Sequence, residues 1–234
     1  IGTAKKRSYN GIGGSGGLAQ YIALDAGRVF PLYGEIPLQA AAFAEPLACC
    51  IHSVKRSGVR MGDTVVIIGA GIMGQLHAVL ARLCGARVIV IEPDGKRREC
   101  AAGEGAHLLI DPLTSDGKKS VLKATGGEGA DIVFVTANSP DLVLQGIGML
   151  RKTGKIVLYG SFHPRKDLPL DPNMVHYSEI IITGSSGPAT EDFYQASRLL
   201  SYGLVKTEKL LDRVYPISRA GEAMAAALKP DTYR

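Results

Sequence analysis

A glycine-rich turn between a strand pattern and a helix pattern constrains this chain more than any other feature. The apolar, β-branched run VVII at residues 65–68 leads directly into Gly69-x-Gly71-x-x-Gly74. Residues 75–84, QLHAVLARLC, then have helical composition and contain neither Pro nor Gly. A strand, a glycine turn and a helix in this order are typical of a dinucleotide-binding βαβ unit.

Each part of this turn has a physical task. Gly69 permits the tight turn, Gly71 lets the backbone approach a pyrophosphate, and Gly74 lets the helix pack closely on the strand. The first helical turn, with Ile72 and Met73, presents unpaired N–H groups and the positive end of the helix dipole to the phosphates. The turn therefore predicts a pyrophosphate site.

An acidic residue follows where such a site requires one. A second apolar strand pattern at 87–92 ends in Glu92, 18 residues after Gly74. At about this spacing the dinucleotide fold places a carboxylate on the hydroxyls of the adenosine ribose. A carboxylate repels a 2′-phosphate, so Glu92 favours NAD over NADP, although Lys96 and Arg98 weaken that inference. A glycine turn in an unrelated α/β protein and a methyltransferase are the alternatives.

The composition excludes several classes of protein. The chain has 234 residues, of which 46% are hydrophobic and 21% charged, as in soluble globular proteins. No apolar run approaches the roughly 20 residues of a membrane helix, and we find no signal-peptide pattern. With no Trp and 6% aromatic residues, the net charge of +5 does not indicate nucleic-acid binding. The four cysteines form no Cys-x-x-Cys pair, which favours a reducing cytoplasm.

Strand and helix patterns alternate from residue 64 onward. This alternation predicts an α/β fold, a doubly wound six-stranded parallel sheet of the Rossmann type. We predict strands at 64–69, 87–92, 107–110, 131–136, 154–159 and 179–184. We predict helices near 72–84, 95–104, 116–125, 140–151, 172–177, 190–202 and 218–228. Before these elements, we predict a glycine-rich loop at 8–17 and then a strand-like alternation at 18–24. Residues 38–57 have mostly helical composition, and within them we expect a helix that begins near Glu45.

The ends of two predicted strands add further candidates for the cofactor site. Thr136 and Ala137 end the fourth strand, and Gly160 and Ser161 end the fifth. Because ligands bind outside the carboxyl ends of the strands in such sheets, we expect both pairs to lie near the nicotinamide half. Ordinary turn residues are the alternative for each pair.

Longer segments carry a resemblance to a known family. They are AAFAEPLACCIHSVKRSGVRMGDTVVIIGAGIMG, VIVIEPDGKRRECAAGEGA, GADIVFVTA, LRKTGKIVLYG and IIITGSSG, in this order. Together they resemble the medium-chain, zinc-type alcohol dehydrogenase superfamily, and Glu-Pro-Leu at 45–47 resembles its sorbitol (polyol) and threonine dehydrogenase branch. The resemblance implies hydride transfer between NAD and a secondary alcohol, namely a polyol, sugar alcohol or amino alcohol. It also implies that zinc assists in the full-length protein.

The resemblance also implies roles for single residues. Glu45 occupies the place of the family's late zinc-site residue, so it is the candidate catalytic and metal-binding residue. Its alternative is a carboxylate favoured by the helix dipole. Arg97 matches a position whose guanidinium packs on the adenine, with a solvated charge as the alternative. We expect His52 and His77 to be packing or surface residues, and His163 is a weaker candidate.

The beginning of the chain departs from the family pattern. The family's early zinc ligands are a Cys and a His-Glu pair, but this chain has no Gly-His-Glu and no Cys before Cys49. We expect 1–46 to be the end of a GroES-like catalytic domain, 47–184 the Rossmann domain, and 185–234 a segment that returns to the catalytic domain. We expect this stretch alone to be inactive, whether the missing part was clipped or is naturally absent.

The resemblance also bears on partners. It implies a small-molecule alcohol or polyol substrate and a homodimer or homotetramer. The sixth predicted strand, within the apolar segment 179–186, forms an edge of the sheet that invites pairing with a second copy. Two other functions stay open, a zinc-free quinone-type reductase of the same superfamily and a catalytically inactive dinucleotide-binding protein. A methyltransferase is disfavoured because no Asn-Pro-Pro-Tyr type segment follows the fourth strand.

Overall fold

A computed structural model describes residues 8–9, 12–13, 19–22, 25–162 and 166–228. Its strands are β1 (Ser8–Tyr9), β2 (Ile12–Gly13), β3 (Thr64–Ile68), β4 (Arg87–Ile91), β5 (Leu108–Ile110), β6 (Ala130–Val135), β7 (Leu150–Leu158) and β8 (Ile181–Gly184). Six of them form one parallel sheet in the order β5-β4-β3-β6-β7-β8. The predicted doubly wound, six-stranded parallel sheet is confirmed, and its order reverses between β3 and β6.

Helices cover both faces of this sheet. They are α1 (Leu38–Ala41), α2 (Ala44–Ser57), α3 (Ile72–Leu83), α4 (Gly95–Gly103), α5 (Gly117–Ala124), α6 (Pro140–Ile147), α7 (Pro172–Ser178), α8 (Thr190–Ser201) and α9 (Ala220–Ala227). Helix α2 begins one residue before Glu45 and is followed by Gly58 in the left-handed region, which glycine adopts without steric cost. Asp94 and Asp116 accept hydrogen bonds from backbone N–H groups in the first turns of α4 and α5.

The apolar strands are buried on both faces because successive side chains point to opposite sides. Along β3, Val65 and Ile67 join a core with α2 and α3. Val66 and Ile68 join a second core that includes Val143 of α6. The carboxyl end of β3 is thereby fixed between two packed layers, and the glycine turn begins there.

Two boundaries differ from the sequence-based prediction. The helix expected at 140–151 ends at Ile147, and β7 begins at Leu150 because Leu150 pairs with Ala130 of β6. Residues 19–22 form no strand, and no described strand pairs with them. Within the predicted loop at 8–17, the described residues form the short strands β1 and β2, which pair antiparallel, and the other residues lie outside the described ranges.

The two last helices differ in how they contact the sheet domain. Ala196 and Leu200 of α8 are buried in the same core as α2 and α3. Helix α9 has no buried residue among those described. The proposed division at residues 46 and 184 stays a prediction. Across the described ranges, no helix is both long and apolar enough to span a membrane.

Candidate functional site

The glycine turn brings α3 into backbone contact with the end of β3. Gly69 has a φ of +98°, and a Cβ atom there would lie 2.9 Å from Thr136 Oγ1. A Cβ atom on Gly74 would lie 2.0 Å from the carbonyl oxygen of Gly69, which is too close for any side chain. Gly71 is the N-cap of α3 with an ordinary extended φ of −65°. Its need for glycine therefore depends on the approach of a ligand, which stays a prediction.

Glu92 is buried at the carboxyl end of β4 with 4% of its surface exposed. Its Oε2 accepts a hydrogen bond from the backbone N–H of Ala70 at 2.6 Å, and its Oε1 accepts one from Asp94 at 3.0 Å. Each carboxylate oxygen can still accept a second hydrogen bond. The carboxylate therefore holds the glycine turn through Ala70 and can still accept hydrogen bonds from a ligand.

Thr136 fixes the turn from the neighbouring strand. Its hydroxyl lies 3.1 Å from the carbonyl oxygen of Ile68 and 3.0 Å from that of Gly69. Its backbone N–H also donates to Ile68 O at 3.0 Å. Because these bonds join the ends of β3 and β6, Thr136 positions the turn as well as bordering the space beside it.

A cleft of about 490 Å³ opens at the carboxyl ends of these strands. Ten residues line it, namely Gly69, Gly71, Ile72, Met73, Gly74, Glu92, Arg97, Thr136, Ala137 and Asn138. All but Asn138 were expected at the cofactor from the sequence. Gly160 is adjacent, since a Cβ atom there would lie 2.8 Å from Asn138 Oδ1. Ser161 is exposed after β7 and does not line the cleft.

Asn138 is the cleft residue that sequence analysis missed. It directly follows Ala137 at the carboxyl end of β6, so the strand-end rule, extended by one residue, would have included it. Its side-chain amide can donate and accept hydrogen bonds. Asn138 therefore adds a polar group to the cleft wall at the carboxyl end of β6.

The basic residues beside Glu92 have different surroundings. Arg98 donates to the carbonyl oxygens of Glu92 at 2.7 Å and Pro93 at 2.8 Å, and it forms an ion pair with Asp111 at 2.9 Å. Arg97 lines the cleft and is half-buried. The charge of Arg98 is thus balanced by Asp111, which reduces its weight as a ligand for a 2′-phosphate.

Behind Met73, outside the cleft lining, lies a cluster of thiols and a carboxylate. The hydroxyl of Tyr159 donates to Met73 Sδ at 3.4 Å, and Cys50 Sγ lies 3.8 Å from the same sulfur. Cys49 donates to Glu45 Oε1 at 3.4 Å. Burial, and next the neighbouring Glu45 carboxylate, raise the pKa of Cys49 to about 11. Without a metal, Cys49 is therefore a thiol rather than a thiolate at neutral pH.

The donor atoms near Glu45 do not make a zinc site by themselves. A catalytic zinc normally has three protein ligands and one open position. Glu45 and Cys49 provide two donors, and no group of three or more His, Cys, Asp or Glu residues within the described ranges could hold a metal ion. Glu45 and Cys49 alone therefore fall short of a catalytic zinc centre.

The two described candidate histidines have structural contacts. His77 is fully buried, with Nδ1 2.7 Å from Met73 O and Nε2 2.9 Å from Ser53 Oγ. Its burial lowers the pKa of the ring to about 4. His52 lies at the surface of α2 and contacts Asp192 at 2.9 Å. These are the packing and surface positions expected for them, and His163 lies outside the described residues.

The cleft and sheet agree with comparisons to known proteins. An L-threonine 3-dehydrogenase from Caldanaerobacter subterraneus subsp. tengcongensis is 31% identical over 223 residues, covering 94% of this chain and 63% of the relative. A sorbitol dehydrogenase from Halalkalibacterium halodurans is 30% identical over 226 residues, covering 92% of this chain and 66% of the relative. These proteins belong to the sorbitol and threonine branch expected from Glu-Pro-Leu, so the resemblance is confirmed.

A solved structure gives the same result. A zinc-binding dehydrogenase from Sinorhizobium meliloti 1021, bound to NADP, superposes with a TM-score of 0.74 at 29% identity. The match covers 82% of this chain and 58% of that protein, so this chain spans less than two thirds of the length of the Sinorhizobium protein. Residues 73–202, more than half of the chain, match the family described as zinc-binding dehydrogenase. The chain therefore belongs to the zinc-binding dehydrogenase family.

Proposed function

We propose that this chain binds NAD(H) in the cleft between the glycine turn, Glu92 and Thr136. One observation carries the proposal, namely that the turn, the first turn of α3 and a buried carboxylate meet in a single cleft. The N–H groups at the start of α3 suit a pyrophosphate. The remaining hydrogen-bond capacity of Glu92 suits the adenosine ribose diol.

The opposite end of the cleft suits the nicotinamide ring. Thr136, Ala137 and Gly160 lie at the carboxyl ends of β6 and β7, and Met73 forms an apolar wall held by Tyr159. In this arrangement the chain orients the ring and keeps water from one face. The cofactor itself supplies the hydride chemistry.

The substrate of the whole protein is a further part of the proposal. We infer transfer of a hydride between the nicotinamide and a secondary alcohol, which is a polyol, sugar alcohol or amino alcohol. The names of two relatives, a sorbitol dehydrogenase and an L-threonine 3-dehydrogenase, support this class. Glu45 is the proposed zinc-site residue of the full-length protein, where a carboxylate oxygen can ligate the ion directly or through water.

Two properties of the whole protein accompany this function. We infer a homodimer or homotetramer, since β8 leaves one edge of the sheet open. We also infer a reducing, cytoplasmic location. The four cysteines of the chain, Cys49, Cys50, Cys84 and Cys100, form no disulfide bond, and Cys50 and Cys100 are buried, as is usual for structural thiols.

A titration with NADH and NADPH tests the cofactor proposal. We expect tighter binding of NADH, because Glu92 repels a 2′-phosphate. Glu92→Ala should weaken NADH binding by about 1.5–3 kcal/mol through the loss of charge-assisted hydrogen bonds. Glu99→Ala, at an exposed position of α4, is the matched control and should leave the affinity unchanged. Equal or tighter binding of NADPH to the wild-type chain would refute the argument from Glu92.

A further inference from the structure

Gln75 is a buried polar residue that the packing of α3 does not explain. Its side chain is fully buried between the glycine turn and α4. Its Nε2 donates to the carbonyl oxygen of Ala70 at 3.1 Å and to that of Arg97 at 2.8 Å. Its Oε1 is buried and has no hydrogen-bond partner among the described residues. One side-chain amide thus joins two walls of the cleft.

The bond to Ala70 completes the support of the turn. Ala70 lies between Gly69 and Gly71, and its N–H already donates to Glu92 at 2.6 Å. The Gln75 amide donates to the carbonyl oxygen of Ala70, on the other side of the same residue. The backbone that faces the pyrophosphate is therefore held by a carboxylate on one side and by an amide on the other.

The bond to Arg97 reaches the wall on the adenosine side. Arg97 lies in the first turns of α4 and lines the cleft, and Asp94 at the N-cap receives its backbone N–H at 2.9 Å. Gln75 fixes the carbonyl of the same residue. The position of this wall relative to the turn thus depends on one side chain.

The unpartnered Oε1 shows that the amide is not an optimal packing residue. A buried acceptor without a partner lowers stability, whereas an apolar side chain of similar length would avoid that cost. Methionine has nearly the same length and shape and fills such sites readily. What the amide adds is the pair of hydrogen bonds to Ala70 and Arg97.

We propose that Gln75 is a positioning residue for the adenosine diphosphate half of the cofactor. It holds the pyrophosphate turn and the Arg97 wall at a fixed separation, so that both contact the ligand without rearrangement. This inference rests on the proposed function, because the ligand is the one assigned to the cleft above. Gln75 itself does not line the cleft and acts through Ala70 and Arg97.

Calorimetric titration of Gln75→Met with ADP-ribose and with NADH tests the inference. We expect both ligands to bind about five- to tenfold more weakly, a loss of binding free energy similar to the net contribution of one hydrogen bond. The loss should be equal for the two ligands, because Gln75 contacts nothing in the nicotinamide half. The midpoint of thermal unfolding should fall only modestly, because removing the unpartnered oxygen offsets part of the cost of taking the amide donor from the Ala70 and Arg97 carbonyls.

Two further variants separate positioning from a merely structural role. Gln75→Asn keeps a buried amide but is too short to reach both carbonyls, so it should show the same loss of affinity even if Gln75→Met fails to fold. Gln195→Met removes a glutamine from α8, where it contacts Glu191, and should change nothing. Wild-type affinity for ADP-ribose in folded Gln75→Met or Gln75→Asn would overturn the inference alone. Failure of the wild-type chain to bind ADP-ribose or NADH would overturn the proposed function first.

Discussion

At the residue scale, Gly74 has little freedom to change. The nearest atom to a Cβ there is the backbone oxygen of Gly69 at 2.0 Å, and neither α3 nor the turn can yield without moving the other. We expect Gly74→Ala to lower the free energy of unfolding by about 1–3 kcal/mol, as for overpacked sites. It should also weaken NADH binding, because the first turn of α3 moves away from the cleft.

Gly221 provides the matched control for Gly74. It also lies in a helix, α9, but a Cβ there would meet nothing within 4 Å. Gly221→Ala should therefore leave NADH binding unchanged and raise stability by at most about 1 kcal/mol, since alanine is the better helix former. Urea unfolding and NADH titration of both variants check the pair, and an undisturbed Gly74→Ala would show that the contact is misjudged.

His77 makes stability depend on pH because its ring is buried in the neutral form. Burial lowers its pKa from 6.5 to about 4 in the folded protein. A lowered folded-state pKa contributes stability that is present above the unfolded pKa and is lost as the pH falls toward the folded one. We expect the free energy of unfolding to drop by about 2 kcal/mol from this residue between about pH 7 and pH 5.

His77→Leu separates this effect from other titrations. It removes the hydrogen bond to Ser53 and so lowers the free energy of unfolding at neutral pH. It should also make the free energy of unfolding less dependent on pH between about pH 7 and pH 5. His176→Gln, at an exposed position of α7, should keep the wild-type slope. Chemical unfolding at several pH values provides the measurement, and an unchanged slope in His77→Leu would contradict the assignment.

Single residues also show how far sequence reasoning reaches. The three glycines and Glu92 could be predicted because their spacing along the chain reflects one local βαβ unit. Gln75 could not, because in the sequence it is one more helical residue. Its importance arises only when α3 packs between the turn and α4. Arg97 lies in the wall of the cleft and Glu45 lies in the first turn of α2, and the roles of both stay predictions.

At the element scale, α2 and α8 are joined by a small group of charges. Asp192 is 2% exposed, and its carboxylate contacts Lys55 at 2.8 Å and His52 at 2.9 Å. Burial alone would raise the pKa of Asp192, but the hydrogen bonds from Lys55, from the backbone of Ala189 and from His52 lower it below its ordinary value. The carboxylate therefore stabilises the contact between the two helices in its charged form.

Substitution of Asp192 tests this contact. Asp192→Ala should lower the free energy of unfolding by about 1.5–3 kcal/mol at neutral pH, because it removes the buried charged acceptor that Lys55, His52 and the backbone N–H of Ala189 share. The difference from wild type should be complete above the ordinary Asp pKa of 3.8 and should shrink as the pH falls below it. Glu191→Ala, whose side chain is 73% exposed, is the control and should cost little. Equal losses for the two variants would contradict the pairing.

The outer edge of β8 is the second element with a testable consequence. β8 pairs with β7 on one side, and Ile181 is 50% exposed. We expect a two-fold symmetric dimer through this edge, which sedimentation at micromolar concentration should detect. Ile181→Asp should shift the chain toward the monomer, and Leu113→Asp, at an equally apolar but distant exposed site, should not. A clean wild-type monomer would reject this interface.

Elements with strong patterns were predictable, and their boundaries less so. The strands at the centre of the sheet were found because they are apolar on both faces. β7 begins earlier than expected because pairing with β6, rather than local composition, decides where it starts. The alternation at 18–24 forms no strand in its described part, since a strand also needs a partner, which a local pattern does not reveal.

At the scale of the whole molecule, the metal is the sharpest question. We expect the 234-residue chain to bind NADH but to retain no stoichiometric zinc after desalting. Glu45 and Cys49 offer two donors where a catalytic zinc needs three protein ligands. Elemental analysis of the purified chain, with and without added zinc, gives the measurement, and a screen with polyols and threonine should show no alcohol oxidation. Tight one-to-one zinc would show that the ligands are misplaced.

The hydrogen bond between Glu92 and Ala70 has a consequence for attempts to redesign this protein. The Glu92 carboxylate, which would discriminate between NAD and NADP, also accepts a hydrogen bond from the glycine turn that would bind the diphosphate of either coenzyme. Coenzyme preference and coenzyme affinity therefore depend on the same side chain. Exchanging Glu92 for a small neutral residue would weaken the binding of both NAD and NADP, whatever it did to the preference between them. An engineer who wants to reverse the preference must first give Ala70 another acceptor for its N–H.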